Sequence, residues 1–207
     1  CRQKKEEIEF ESAAIAAQVC DLFPSWDDPR WPGHSPPAEL PTVLPLGSLA
    51  IDPARFDGAQ AVDPEVREFT PAPFTLPALL DQWSIILAGQ GDQLGRANQI
   101  LLNLMLRILT TVPAGKTRWT LIDPGGLGQD FASFMHLADY DEQLVGPRIW
   151  TESAHIEERL SDLTEHMENV IQKYLRNQYE TIEEYNAFAG EVAEPFRVLV
   201  VANFPNN

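Results

Sequence analysis

The chain is short of basic residues: 15 lysines and arginines stand against 31 acidic residues, a formal charge of −16 over 207 residues. Affinity for duplex nucleic acid depends on lysine and arginine side chains that displace counterions from phosphates. Because so acidic a surface repels DNA, we do not expect this chain to bind nucleic acid by itself.

Cysteine is scarce, with Cys1 and Cys20 as its two occurrences. They have neither the spacing of a metal site nor the density of a disulfide scaffold. The composition therefore favours a reducing, cytoplasmic setting. The chain starts on a charged segment and not on Met, so we identify no signal peptide and expect a piece of a longer polypeptide.

Long apolar runs are also missing. The densest stretch, Ile100 to Leu109, is interrupted by Asn103 and Arg107. It falls well short of the roughly 18–20 apolar residues that a membrane span needs. It predicts a buried amphipathic helix, and we expect no membrane span in this chain.

Proline is abundant, but in one region: twelve of the 17 prolines lie between residues 24 and 77. Proline lacks an amide hydrogen, so long regular structure is not expected there. Two short strands, 42–44 and 48–52, can still form around a turn at Leu46-Gly47, and an extended wrap is the alternative. The predicted organisation is an N-terminal helix (1–23), a Pro-rich adaptor (24–77) and an α/β domain (78–207).

From residue 84 onward, short apolar segments alternate with helical patterns. The predicted strands are 84–88, 119–123 and 197–202, and the predicted helices are 96–109, 151–175 (with Thr151 as N-cap) and 181–188. Apolar strands that alternate with helices predict a mainly parallel sheet covered on both faces, a three-layer α/β/α fold. Ligands of such sheets bind at the carboxyl ends of the strands, which would bring residues 89–91, 123–126 and 203–205 to one rim.

The first rim segment is rich in glycine and lies between a predicted strand and a predicted helix, where a phosphate-binding loop belongs. Gly89 or Gly91, together with Gly95, gives a spacing close to that of such a loop. The loop also needs a lysine for the phosphates and a Ser or Thr for Mg²⁺, but Arg96 and Ala97 follow Gly95. We predict a turn that no longer binds nucleotide productively; contact of Arg96 with a phosphate is the alternative.

The last predicted strand is followed by Asn203, with Ala202 before it. In P-loop ATPases the corresponding strand ends on an Asp that orients Mg²⁺ and a Glu that activates water. A methyl group and an amide can do neither. We therefore interpret Ala202 and Asn203 as a degenerate Walker B motif.

Two further patterns have plainer interpretations. Gly115-Lys116-Thr117 is similar to the end of a P-loop, but it follows a helix and precedes a strand, which predicts a helix-ending glycine and a solvated lysine. His155 and His166 are eleven residues apart on one predicted helix, whereas a helical metal pair needs a spacing of four. We predict a solvated polar face there and no metal site.

Three segments resemble motifs of the FtsK/SpoIIIE-type DNA translocases, which belong to the HerA–FtsK P-loop ATPase superfamily. Leu121 to Gly126 is similar to that family's LIDPK strand end, Thr181 to Asn186 to its I-x-x-Y-N segment, and Pro195 to Val201 to the start of its Walker B strand. The resemblance covers about residues 74–207. It implies a bacterial protein with a RecA-like P-loop core, hexameric rings, ATP hydrolysis and pumping of duplex DNA. Since such a core continues past its Walker B strand, we expect the domain to be incomplete at its C-terminus.

The chain departs from the family at the functional positions. Gly125 follows Asp123 and Pro124 where the family has lysine, and the Walker lysine, hydroxyl and acids are missing. We therefore expect a degenerate, non-hydrolytic module of a larger ATP-driven DNA-translocating motor, with a structural or assembly role and no bound cofactor. Its partners would be other FtsK-like modules or copies of itself, and DNA would be bound by the parent protein.

Three alternatives remain open. The chain could be an active P-loop NTPase that binds ATP and Mg²⁺ through an atypical loop with Arg96. It could be a module similar to the type VII secretion ATPases, which are built from several such domains. It could also be a pure protein-interaction domain without a ligand.

Overall fold

The structure, a computed structural model, describes residues 10, 11, 13, 14, 17, 24–40, 43–49, 72–77, 84–176, 178–190 and 193–204. The chain forms two compact units, Cys1–Ala78 and Leu79–Asn207. The described residues between 10 and 17 are helical, and the remainder of the predicted helix 1–23 lies outside the described residues.

In the first unit, strand β1 (Val43–Leu49) pairs antiparallel with β2 (Ala72–Pro77). The register shifts between Pro45 and Gly47, as expected where a proline has no amide hydrogen to donate to the ladder. The predicted hairpin with a turn at residues 46–47 is therefore wrong, because those residues form an irregularity within one continuous strand. Residues 42 and 50–52 of the prediction lie outside the described part.

In the second unit, the apolar stretch found in the sequence forms helix α1 (Gln93–Thr111). Leu104, Met105 and Ile108 are buried, with the three- and four-residue spacings of a helix that packs on a core. The helix ends where Val112 adopts extended backbone, one residue before a proline that could not continue it.

Strands β3 (Thr117–Ile122) and β4 (Phe196–Val201) pair in parallel along their whole length. The opposite side of β3 is hydrogen-bonded to residues 144–150, because the amides of Trp119 and Asp123 donate to carbonyls of that segment. With neighbours on both sides, β3 is central, and five of its six residues are buried. This is the burial expected of a parallel strand covered on both faces.

Residues 84–88, predicted as the first strand of the sheet, have no regular secondary structure. Ile86 and Leu87 are exposed there, Ile86 by 88 %. An apolar run forms a strand when a neighbouring strand binds its backbone and its side chains pack, and the described residues provide neither. The prediction of a mixed α/β domain is confirmed, whereas the three-layer RecA-like sandwich stays a prediction.

Helix α2 (Ser153–Val170) continues into a π-helical turn, Ile171–Leu175, over the range predicted as helix. The predicted N-cap Thr151 is wrong. The N-cap is Glu152, because its carbonyl accepts the first helical hydrogen bond, from the amide of Ile156 at 2.9 Å.

Helix α3 (Ile182–Ala189) begins at a threonine. The hydroxyl oxygen of Thr181 accepts a hydrogen bond from the amide of Glu184 at 3.2 Å, the usual arrangement of an N-cap. In the part of the chain that the structure describes, none of the helices combines the length and the apolar composition that a membrane crossing requires.

The side of β4 that points away from β3 has no paired strand among the described residues. Along a parallel strand, alternate residues turn their N–H and C=O groups to the same side. Since the amide of Ala202 donates to β3, residues 197, 199 and 201 turn theirs outward. The side chains of Leu199 and Val201, on one face of β4, are 47 % and 40 % exposed, so within the described residues β4 is an edge strand with exposed apolar side chains.

Candidate functional site

Asp123, the residue after β3, is fully buried. Its Oδ1 accepts hydrogen bonds from the amide of Gly126 at 2.7 Å and from Nδ2 of Asn203 at 2.8 Å. Its Oδ2 accepts one from the amide of Gly128 at 2.9 Å. Both carboxylate oxygens are therefore bound by N–H donors, and within the described residues no basic side chain forms an ion pair with Asp123.

The loop after β3 can wrap around this carboxylate because it is rich in glycine. A Cβ atom on Gly126 would lie 2.5 Å from Oδ2 of Asp123, far inside contact distance. Leu127 and Gly128 have φ angles of 51° and 84°, a backbone region that glycine enters without steric cost. Glycine is thus required at positions 126 and 128 by the shape of the loop, whereas Leu127 adopts a left-handed backbone that is sterically unfavourable for its side chain.

Asn203 connects this loop to the end of β4. Its φ angle is 53°, a left-handed conformation that asparagine tolerates better than most residues. Besides its bond to Asp123, Nδ2 donates to Oδ2 of Asp130 at 2.8 Å. The same oxygen accepts from Nδ2 of Asn98 on α1 at 3.0 Å. We call Asn98, Asp123, Asp130 and Asn203 the rim network.

Gly125 and Ala202 are held at the same rim by packing. A Cβ atom on Gly125 would lie 3.0 Å from the Cβ atom of Asn203, so a lysine at position 125 would press on that side chain. Ala202 is 3 % exposed, and its amide donates to the carbonyl of Ile122 at 2.9 Å. Its methyl group offers no ligand to a metal or a nucleotide.

Of the predicted nucleotide loop, Gly89 and Gly91 precede α1, whereas Gly95, Arg96 and Ala97 lie within its first two turns. No described hydrogen bond joins the rim network to the predicted nucleotide-loop residues Gly89, Gly91, Gly95, Arg96 and Ala97. The loop instead closes on itself, since the amide of Gln90 donates to Oε1 of Gln93 at 3.3 Å. Arg96 is exposed and forms no ion pair with any described residue.

The predicted rim is therefore assembled only in part. The structure brings residues 123–126 together with Asn203, as the parallel-sheet prediction requires. The third segment, residues 89–91, makes no described hydrogen bond to it, and residue 205 lies outside the described part.

Sequence reasoning missed Asn98, Asp130 and Gly128. Asn98 is a polar position of α1, whose apolar spacing predicts the helix but not the contacts of its polar side chains. Asp130 lies in a 3₁₀ helix, Gln129–Asp139, for which the sequence has no recognised periodic pattern. Gly128 had a usable signal, because a Gly-Gly-x-Gly run directly after a buried strand indicates a tight loop around the strand end.

A second polar cluster joins α2, α3 and the start of β4 around Glu194. Asn186 donates from Nδ2 to the carbonyl of Glu194 and accepts from its amide, both at 2.8 Å. The Glu194 carboxylate contacts Nε2 of His166 at 2.8 Å and Nη2 of Arg197 at 3.1 Å. The predicted solvated face is thus wrong for His166, which is half-buried and tied to a carboxylate. His155 lies 3.4 Å from Glu152.

The remaining motif, residues 115–117, matches its prediction only in connecting a helix to a strand: α1 already ends at Thr111, so Gly115 does not end it, and Lys116 is half-buried and not solvated. Gly115, with a φ angle of 76°, lies in the connection between α1 and β3. The carbonyl of Lys116 accepts from the amide of Phe196 at 2.8 Å, which starts the pairing of β3 with β4. This segment connects a helix to a strand.

The described residues contain no group of three or more His, Cys, Asp or Glu side chains arranged to hold a metal ion.

No protein-family model, curated protein or solved structure matches this chain. The relation to FtsK/SpoIIIE-type translocases stays a prediction based on its sequence motifs.

Proposed function

We propose that this chain is a degenerate FtsK/SpoIIIE-like ATPase module that does not hydrolyse ATP and has a structural or assembly role in a larger DNA-translocating motor. The motifs after β3, in α3 and in β4 support the family, and the rim network supports the loss of catalysis. We further propose a bacterial, cytoplasmic setting, in which the parent protein could be tethered to a membrane.

The observation that carries the proposal is the state of Asp123. An acid that orients Mg²⁺ or activates water must present an oxygen to the ligand. Asp123 is fully buried, and its two oxygens are taken up by Gly126, Gly128 and Asn203. The carboxylate at the end of β3 is therefore engaged by its own loop and by Asn203.

The end of β4 supports the same conclusion. Asn203, at the place of a general base, donates hydrogen bonds from its amide to two carboxylates, and an amide cannot accept the proton of an attacking water. Ala202 contributes a buried methyl group. Neither the metal-binding nor the base function of a Walker B motif has a side chain to perform it.

An assembly role requires a surface on which a partner can pair. No described strand pairs with the outer edge of β4, and with Leu199 and Val201 exposed this edge is suited to extension by a further strand. Because the chain carries a formal charge of −16, we propose that its contacts are with other FtsK-like modules and that DNA is bound elsewhere in the motor.

The competing function is an active NTPase with an atypical loop. The exposed guanidinium of Arg96 near the start of α1 favours this function, because the guanidinium could contact a phosphate at the positive end of the helix dipole.

The type VII secretion-like module and the ligand-free interaction domain share the inactive rim, and the full gene distinguishes them. The proposal expects that gene to encode a second FtsK-like module with an intact G-K-[ST] loop, and its absence would contradict the proposal.

A thermal-melting experiment separates the two functions in the purified chain. A ligand that binds only the folded state raises Tm in proportion to its occupancy. With ATP and Mg²⁺ in millimolar excess, the degenerate module should melt as it does without them, and so should its Arg96→Ala variant. A saturable rise in Tm that disappears in Arg96→Ala would support the active NTPase instead.

A further inference from the structure

Two carboxylates at the rim share one amide nitrogen as hydrogen-bond donor. Nδ2 of Asn203 lies 2.8 Å from Oδ1 of Asp123 and 2.8 Å from Oδ2 of Asp130. Within the described residues, neither carboxylate forms an ion pair with a lysine, arginine or histidine. Two carboxylates that share one site repel each other unless a cation or hydrogen-bond donors compensate.

The donors that face this pair come from each element around it. The loop after β3 supplies the amides of Gly126 and Gly128 to Asp123, and α1 supplies Nδ2 of Asn98 to Asp130. Asn203 is the residue that donates to both carboxylates at once. Its amide group carries two N–H bonds on one nitrogen, one for each acceptor.

We infer that Asn203 is a positioning residue: its amide nitrogen occupies the place between Asp123 and Asp130 that a cation would otherwise have to fill, so the glycine-rich loop keeps its shape without metal or nucleotide. This goes beyond the proposed function, since it follows from the distances in the rim network and not from the family resemblance.

Asn203 connects three parts of the fold at the rim. Asp123 holds the loop through the amides of Gly126 and Gly128, and Asp130 is joined to α1 through Asn98. Asn203 connects these two halves to the end of β4. Without its amide, the two carboxylates would face each other directly, and the loop would depend on an external cation or on protonation.

The first test replaces the amide by an acid of the same shape. Asn203→Asp removes both N–H donors and places a third carboxylate against the other two. At about pH 7.5 we expect Tm to fall by at least about 5 °C relative to the unaltered chain. The deficit should shrink as the pH is lowered, because the added carboxylate is repelled by its two neighbours and a proton relieves that repulsion.

The same variant should also respond to cations. Millimolar Ca²⁺ or Mg²⁺ should raise the Tm of Asn203→Asp and leave the unaltered chain unchanged, since oxygen ligands are the ones both ions prefer. Gln172→Glu is the matched control: it makes the same amide-to-acid change at an exposed position and should show neither the pH rescue nor the cation rescue.

A second variant covers the case in which Asn203→Asp does not fold at neutral pH. Asn203→Gly accepts the φ angle of 53° and deletes the amide without adding charge. It should gain Tm with Ca²⁺ or Mg²⁺, unlike the unaltered chain. The inference is overturned if the decrease in Tm of both variants is the same at every pH and is not reduced by cations. It is also overturned if Asn203→Asp is as stable as the unaltered chain at neutral pH, or if cations raise the Tm of the unaltered chain itself.

No nucleotide is added in any of these measurements. ATP turnover would contradict the proposed function and leave the role of Asn203 intact, whereas a missing pH and cation response would contradict that role and leave the proposed function intact.

Discussion

The amide nitrogen of Asn203 lies 2.8 Å from Oδ1 of Asp123, although 80 positions separate the two residues in the chain. Parallel pairing of β3 and β4 brings both strand ends to one rim, and the hydrogen bond then closes that rim. A residue that the sequence presents as the loss of a general base is, in the folded chain, the donor that joins two strand ends.

Gly126 should tolerate no side chain. A Cβ atom there would meet Oδ2 of Asp123 at 2.5 Å, so Gly126→Ala must displace the loop or break the carboxylate's hydrogen bonds. We expect a loss of about 2–3 kcal/mol in the free energy of unfolding, measured by urea denaturation.

The control for this substitution is Gly95→Ala on α1. A Cβ atom on Gly95 meets nothing within 4 Å, and alanine within a helix is favoured over glycine by roughly 0.5–1 kcal/mol. This variant should be slightly more stable than the unaltered chain. Equal effects of the two substitutions would show that the tight loop around Asp123 does not exist.

The charge of Asp123 should matter for folding. Asp123→Asn keeps the shape but turns an N–H group toward donors that already point at this side chain, leaving buried groups unpaired. We expect a loss of about 2 kcal/mol in the free energy of unfolding. Asp141→Asn serves as the control, because Asp141 is 42 % exposed in its 3.4 Å ion pair with Arg118 and should cost less than about 1 kcal/mol. An Asp123→Asn variant with an unchanged free energy of unfolding would contradict the hydrogen-bonding pattern.

Asn186 should be required for docking α3 against the start of β4. Asn186→Ala removes two hydrogen bonds of 2.8 Å to the backbone of Glu194 and should cost about 1–3 kcal/mol in the free energy of unfolding. Asn186→Asp keeps the acceptor and loses the donor. If both variants match the unaltered chain in chemical denaturation, Glu194 is held by His166 and Arg197 alone.

The open edge of β4 should promote association of the isolated chain. Leu199→Lys places a charge on that edge, the device by which sheet edges avoid pairing. Because Leu199 is already 47 % exposed, the fold should persist while concentration-dependent association in sedimentation velocity decreases. Tyr140→Lys is the control, at a residue that is 90 % exposed and outside any strand. Equal effects of the two variants would rule out the edge as the cause.

The parts of the fold that the sequence predicts are those with strong local patterns. The buried spacing along α1, the apolar run of β4 and the helical pattern of α3 each follow from side chains close together in the chain. The strand expected at residues 84–88 fails for a reason that no local pattern contains: a strand needs a neighbour, and the described residues provide none beside it.

The candidate site is predictable to the same limited extent. Parallel strands bring Asp123 and Asn203 to one rim, which the sequence does predict. It does not reveal that Asp130 and Asn98 complete the network, because their contacts depend on the 3₁₀ helix Gln129–Asp139 and on the rotation of α1. Nor does the sequence around Ala202 and Asn203 indicate that the asparagine has a structural role.

The central claim, a rim closed to Mg-nucleotide, is tested most directly by titrating ATP with Mg²⁺ into the purified chain in a calorimeter while free phosphate is measured. The account predicts no saturable heat and no phosphate above the protein-free rate. Stoichiometric binding that is lost in Arg96→Ala, together with sustained phosphate release, would contradict it.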